Sequence, residues 1–295
     1  MRQARVRVVG YLSLDTVQAA RGASGPVPGG AALYAALGAR DAGAAVSLNA
    51  CVGDDYPGAW LESLHALGID VSRVQRRTGP SRTTTLHYDD AGRRASPHFR
   101  DPLWWERTRA LAPVPGDDLG QVDVIVACPM PVDTLAALLP RAAAAAVPVV
   151  ADTSEAFVSD NPQRLLQLVG RLAVFAPSRE ETRLLLPQCD DDAAAAWLAR
   201  LGAHILHKRG AQGALALTAH ATATARIPAP PATVIDPTGA GDATVGALAA
   251  RWAAGCGFLE AATAALTTGA LTTTGIGPAA LGLGAPLPAH SPCTT

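Results

Sequence analysis

Asp236-Pro237-Thr238-Gly239-Ala240-Gly241-Asp242, followed at once by the helical pattern Ala243-Thr244-Val245-Gly246-Ala247-Leu248, is the stretch on which this sequence turns. Small residues directly before a helix let backbone N–H groups approach an anion, and the helix dipole adds positive potential at that point. Gly239, Ala240 and Gly241 therefore read as a phosphate cradle. Asp242, in the first turn, stands where a carboxylate could take the proton of an attacking hydroxyl while nearby amides hold charge developing on a transferred phosphoryl group. The alternative is an ordinary glycine-rich loop with Asp242 as a capping residue. The segment is not a Walker A loop, because Gly-Lys-Ser/Thr is missing, and it does not form Gly-x-Gly-x-x-Gly either.

Upstream of this loop, short apolar runs rich in β-branched residues alternate with longer Ala/Leu patterns of helical period. That alternation predicts an α/β fold, a parallel sheet covered by helices. The expected strands are Val6–Val9, Val46–Val52, Val122–Ala127, Val147–Ala151, Val174–Ala176 and His204–His207; the expected helices are Ala31–Ala42, Ala59–Leu67, Leu135–Ala144 and Ala243–Ala254. Between Val74 and Phe99 the pattern becomes polar and Thr-rich, with an Asp89-Asp90-Ala91-Gly92 turn signal, which reads as a β-hairpin. Such a hairpin is either a lid over a site or an extension of the sheet edge.

Composition narrows the class further. The 295 residues are 49% hydrophobic and 17% charged, too apolar for a disordered chain, and 24 basic against 25 acidic residues leave a net charge of −1. No basic surplus exists to neutralise a nucleic acid backbone. The apolar stretch Ala142–Val150 is short and broken by Pro148, so no membrane span is expected. No secretory leader is visible, and the five cysteines (Cys51, Cys128, Cys189, Cys256, Cys293) are scattered, odd in number and without a Cys-x-x-Cys pair. Free thiols in a reducing cytoplasm, with no metal site, are the expectation. His87, His98, His204, His207 and Trp104-Trp105 show no ligand spacing, and Asp123 and Asp152 read as structural residues at strand edges.

With these residues in place, the chain resembles the ribokinase-like (PfkB) carbohydrate kinase family. Asp236–Ala249 match the family's C-terminal signature, and Val9-Gly10-Tyr11-Leu12-Ser13-Leu14-Asp15, Pro28-Gly29-Gly30-Ala31-Ala32, Val52-Gly53-Asp54-Asp55-Tyr56-Pro57-Gly58 and Leu67-Gly68-Ile69-Asp70 follow its blocks in order. The resemblance implies one ribokinase-like domain over 1–295, a three-layer fold with a mostly parallel sheet and a small β-lid built from segments around 10–30 and 74–100. It implies an ATP- and magnesium-dependent kinase acting on a hydroxyl of a small polyol: a sugar, a cyclitol such as inositol, or a nucleoside. A catalytically silent sugar- or nucleotide-binding protein on the same fold is the alternative.

Residue by residue, the resemblance makes Asp242 the catalytic base and Gly239, Ala240 and Gly241 the anion hole. Asp15 becomes the acceptor-binding carboxylate, with Gly29 and Gly30 as the substrate loop. Ala176-Pro177-Ser178-Arg179-Glu180-Glu181 is similar to the family's Asn-x-x-Glu element, with Ser178 in place of Asn and Glu181 expected to hold magnesium through water; Glu180 reads as helix-start acid enrichment. The run from His207 to Ala214 resembles the strand and turn beside the ATP phosphates, with Lys208 as a phosphate contact, Gly210 and Gly213 shaping the turn, and Arg209 solvated. Ala262–Thr274 resembles the adenine-side helix, where Ala265 and Gly269 would leave room for a flat base. Thr238 and Asp236 stand where many members place a monovalent cation, so potassium is a further expected ion. Tyr34 departs from the family's Asn and implies a more apolar acceptor pocket, poor for free ribose. Lid pairing between subunits would make a homodimer.

Overall fold

The computed structural model describes residues 2–19, 22, 23, 26–88, 94, 95, 101–114, 116 and 118–284. Its strands are β1 (Arg5–Val9), β2 (Ser13–Ala19), β3 (Gly22–Ala23), β4 (Val27–Gly29), β5 (Ala45–Val52), β6 (Ile69–Arg76), β7 (Arg82–Tyr88), β8 (Arg94–Ala95), β9 (Val124–Ala127), β10 (Val149–Ala151), β11 (Val174–Phe175), β12 (His204–Lys208), β13 (Ala214–Leu217) and β14 (Thr224–Ile227). The helices are α1 (Ala31–Asp41), α2 (Gly58–Ala66), α3 (Pro102–Ala110), α4 (Val132–Ala144), α5 (Glu155–Asp160), α6 (Pro162–Val169), α7 (Arg179–Leu185), α8 (Asp191–Arg200), α9 (Ala240–Ala253) and α10 (Phe258–Thr272).

Nine strands form the central sheet in the order β14-β13-β12-β11-β10-β9-β1-β5-β6. The seven from β12 to β6 pair in parallel, and β13 and β14 add an antiparallel edge. Successive side chains of a strand point to opposite faces, and here both faces are buried. Val6, Val8, Val124, Val126 and Leu206 pack on the side of α1, α2, α9 and α10, while Val9, Ile125, Ala127, Phe175 and Ile205 pack with α3 to α8 on the other. Helix–sheet–helix layering is the consequence. β13 escapes a sequence reading because Ala214-Leu215-Ala216-Leu217 has no β-branched residue.

A second, small sheet runs β3-β2-β7-β8, with β4 also paired to β2. β7 and β8 are antiparallel through His87↔Ala95 and Tyr88↔Arg94, as a hairpin requires, whereas β2 and β7 run parallel. The turn expected at Asp89-Asp90-Ala91-Gly92 lies outside the described residues, as do His98 and Cys293. Val74 belongs to β6 of the central sheet, so the lid strand begins at Arg82. No helix among the described residues is long and apolar enough to cross a membrane.

Candidate active site

Two helix N-termini meet at the carboxyl ends of the central strands, the edge at which open α/β sheets bind ligands. α1 and α9 lie backbone to backbone: a Cβ on Gly38 would fall 2.2 Å from the Ala243 carbonyl oxygen, and one on Gly246 would fall 1.9 Å from that of Ala35. Glycine is needed at both contacts, and this packing aligns the start of α9 with the loop entering α1. Gly239 caps α9 at φ 75°, a left-handed conformation that costs glycine nothing. Behind it, Asp236 is 1% exposed; its carboxylate accepts from the Thr238 N–H (2.9 Å) and hydroxyl (2.5 Å) and from the Gly277 N–H (2.7 Å). Asp236 thus ties the Gly239–Gly241 loop to the segment after α10.

Tyr34 has a different place from the one expected. It is 2% exposed, and a Cβ on Gly239 would meet its ring at 2.1 Å. The ring packs against the Gly239–Gly241 loop.

Adjacent strands deliver the charged groups. Asp152 follows β10, Ser178 and Glu181 follow β11, and Lys208 ends β12. Lys208 Nζ donates to Asp152 Oδ2 at 2.5 Å, and a Cβ on Gly241 would stand 3.3 Å from the same nitrogen, which puts the ammonium against the loop. Burial works to discharge Lys208, but Asp152, Glu181 and Asp242 together outweigh it and raise its pKa. Burial pushes the Asp152 carboxyl up, against the pull of Lys208. Cys128, at the end of β9, is buried, and desolvation with the charges of Asp242 and Asp152 raises its thiol well above 9. Asp242 itself is half-buried in the first turn of α9.

Ser178 and Glu181 form a capping box on α7: the Ser178 hydroxyl accepts from the Glu181 N–H (3.2 Å), and Glu181 Oε2 accepts from the Ser178 N–H (2.6 Å). Ser178 thereby supplies the cap that an Asn at this position could also provide. Burial lifts the Glu181 carboxyl to about 8, against the attraction of Lys208. Among the described residues no group of three His, Cys, Asp or Glu side chains is arranged to hold a metal. Mg²⁺ rarely uses such cages; one or two carboxylates and phosphate oxygens suffice. Asp152 and Glu181 beside the small-residue loop fit that donor set.

On the lid side, Asp15 is 5% exposed and accepts from the Ser13 hydroxyl at 2.7 Å. Gly29 is glycine because the Asp15 carboxylate fills the place of its side chain, 2.1 Å from a Cβ there, and Gly30 takes φ 97° against the Tyr11 carbonyl. The two glycines therefore seat Asp15 and turn the chain into α1.

Other residues named from the sequence are placed elsewhere. Gly269 faces Thr244 Oγ1 and the fully buried Ala265 lies in the same helical packing, so neither opens a slot for a flat base. Gly213 packs on the Ile227 carbonyl of β14, and Gly210 is exposed at a left-handed turn. Arg209, expected in solvent, bonds His207 Nδ1 and pairs with Asp192. Asp123 holds Arg2 and Arg5 at the opposite end of the sheet, the structural role expected. Asp152, expected to be structural, joins the site. Its position immediately after a buried parallel strand was the signal available in the sequence.

Residues 11–282 match the family model described as pfkB family carbohydrate kinase. A cytidine kinase of Thermococcus kodakarensis is 29% identical over 252 residues, 84% of this chain and 88% of that protein. The nucleoside kinase of Burkholderia thailandensis, solved with inosine, superposes with a TM-score of 0.74 at 20% identity, over 93% of this chain and 92% of the other. A ribokinase II candidate from E. coli, solved with ATP and Mg²⁺, gives a TM-score of 0.74 at 22% identity, over 93% and 94%.

Proposed function

The chain belongs to the pfkB family of carbohydrate kinases and is a phosphotransferase with a hydroxyl acceptor, and from that premise we propose that it transfers the γ-phosphoryl group of ATP to a hydroxyl of a nucleoside. The acceptor's diol rests on Asp15, whose ionised carboxylate can take two adjacent hydroxyls. Asp242 accepts the proton of the attacking hydroxyl as its oxygen bonds to the γ-phosphorus and the bond to the ADP oxygen breaks. The amides of Gly239, Ala240 and Gly241 and the Lys208 ammonium face the charge on the transferred group. Bound Mg²⁺, held by Asp152 and Glu181, would neutralise charge on the nucleotide phosphates. The observation that carries this reading is the convergence of Asp242, Lys208 and the glycine loop at one end of the sheet, with Asp15 at the same end. The names of the cytidine and nucleoside kinases favour a nucleoside over a simple sugar.

The test is ATP consumption across nucleosides, pentoses, hexoses and inositols, with Asp242→Asn as control. The variant keeps the shape and removes the base, so kcat should fall roughly 10²-fold or more while ATP affinity is kept. Wild-type kcat in Asp242→Asn would end the assignment. Turnover of ribose or inositol in place of any nucleoside would end the acceptor class.

A further inference from the structure

Arg82 opens β7, and its neighbour across the lid sheet is Ser13 of β2; Asp15 pairs with Thr84 two residues on. Laterally paired residues share a face, so Ser13, Asp15, Arg82 and Thr84 all project on one side of the lid. Arg82 is 8% exposed, its guanidinium carbon lying 4.3 Å from the ring centre of Tyr11 and 4.9 Å from that of Trp104. The clamp is fixed from behind by the Tyr11 hydroxyl, which donates to the Thr108 carbonyl at 2.9 Å. Arg82 Nε has no hydrogen-bond partner, and the side chain makes no ion pair among the described residues. Buried guanidinium groups are ordinarily paired, because two aromatic faces offset only part of the desolvation. This one is held stiff with its Nε donor unspent, on the face that carries Asp15.

Resting on the reading of Asp15 as the acceptor anchor, we propose that Arg82 selects acceptors carrying a planar carbonyl or carboxylate oxygen beside the polyol. Arginine can only donate, so its ligand must present lone pairs, and its fork matches planar oxygen. Strand spacing puts the Cα atoms of Arg82 and Asp15 about 8 Å apart on one face of the lid, the length scale of a nucleoside from its ribose diol to a base carbonyl. Adenosine, with no carbonyl, lacks the matching oxygen; cytidine and inosine possess it. A sugar acid presents the same chemistry as a carboxylate.

The experiment compares kcat/KM of the wild type, Arg82→Met and Arg82→Lys on cytidine, inosine, adenosine, and gluconate against glucose. The wild type should favour the oxo-bearing nucleosides over adenosine, and both variants should lose about 10- to 100-fold on them through KM while changing less than threefold on adenosine. Arg82→Lys keeps a cation over the rings, so it decides the matter if Arg82→Met does not fold. A loss confined to gluconate assigns the oxygen to a carboxylate and also supports the role. Equal losses on every acceptor, or unchanged discrimination in Arg82→Lys, overturn it while leaving the kinase reading intact. No turnover of ATP by the wild type with any acceptor defeats both.

Discussion

Replacing Glu181 by Gln isolates one buried proton. Glutamine has the size of glutamate and can accept from the Ser178 N–H in the same capping box, so packing and cap survive. What disappears is the carboxyl whose pKa burial raises from 4.5 to about 8. Such a group binds its proton more tightly folded than unfolded, so between those two values the folded state carries the extra proton and stability falls as pH rises. At 1.36 kcal/mol per pH unit the whole window amounts to roughly 5 kcal/mol. A chain of 295 residues unfolds with an entropy of about 0.6 kcal/mol/K, so the effect corresponds to about 8 °C in Tm. We expect the Tm of the wild type, measured by scanning calorimetry without nucleotide, to lie close to that of Glu181→Gln at about pH 5 and to drop about 8 °C below it by about pH 9, most steeply between the two pKa values and levelling off above the upper one. Parallel Tm curves for the two proteins would show that Glu181 is ionised throughout, and the buried-proton argument would be wrong.

Two further substitutions test the other parts of the site. Asp15→Asn keeps the shape that fills the space over Gly29 but removes a charge from the acceptor, so acceptor KM should rise at least roughly tenfold with ATP KM unchanged; a shift in ATP KM alone would mean that Asp15 is misplaced. Gly239→Ala sets a methyl 2.1 Å from the Tyr34 ring at φ 75°, and the displaced loop should cost about 10²-fold in kcat. Adding Tyr34→Ala should recover part of that loss in steady-state assays, and no recovery at all would leave the strain to the backbone alone.

The sequence by itself determined the layered α/β plan. Alternation of β-branched runs with alanine-rich helical stretches needs only local periodicity, and the Asp236–Asp242 loop announces its helix start because glycine at a left-handed cap is a local requirement. Those signals travel with short segments of chain. The tertiary structure decided which residues meet. Asp152, Lys208 and Glu181 come from three successive strand ends, and nothing in their spacing says that one ammonium will serve them all; burial in a shared site then raises the Glu181 carboxyl, which no local pattern encodes. Tyr34 was legible as an odd aromatic in a substrate loop. Its true contact, Gly239, lies some two hundred residues away and arises because Gly38 and Gly246 let α1 and α9 touch backbone to backbone. Arg82 reads as one polar residue among many in a Thr-rich run, and only the packing of Tyr11 and Trp104 around it removes its water while leaving Nε without an acceptor. Side-chain chemistry is written residue by residue, but desolvation and charge pairing depend on which distant elements close over each residue, and that is set by the fold as a whole.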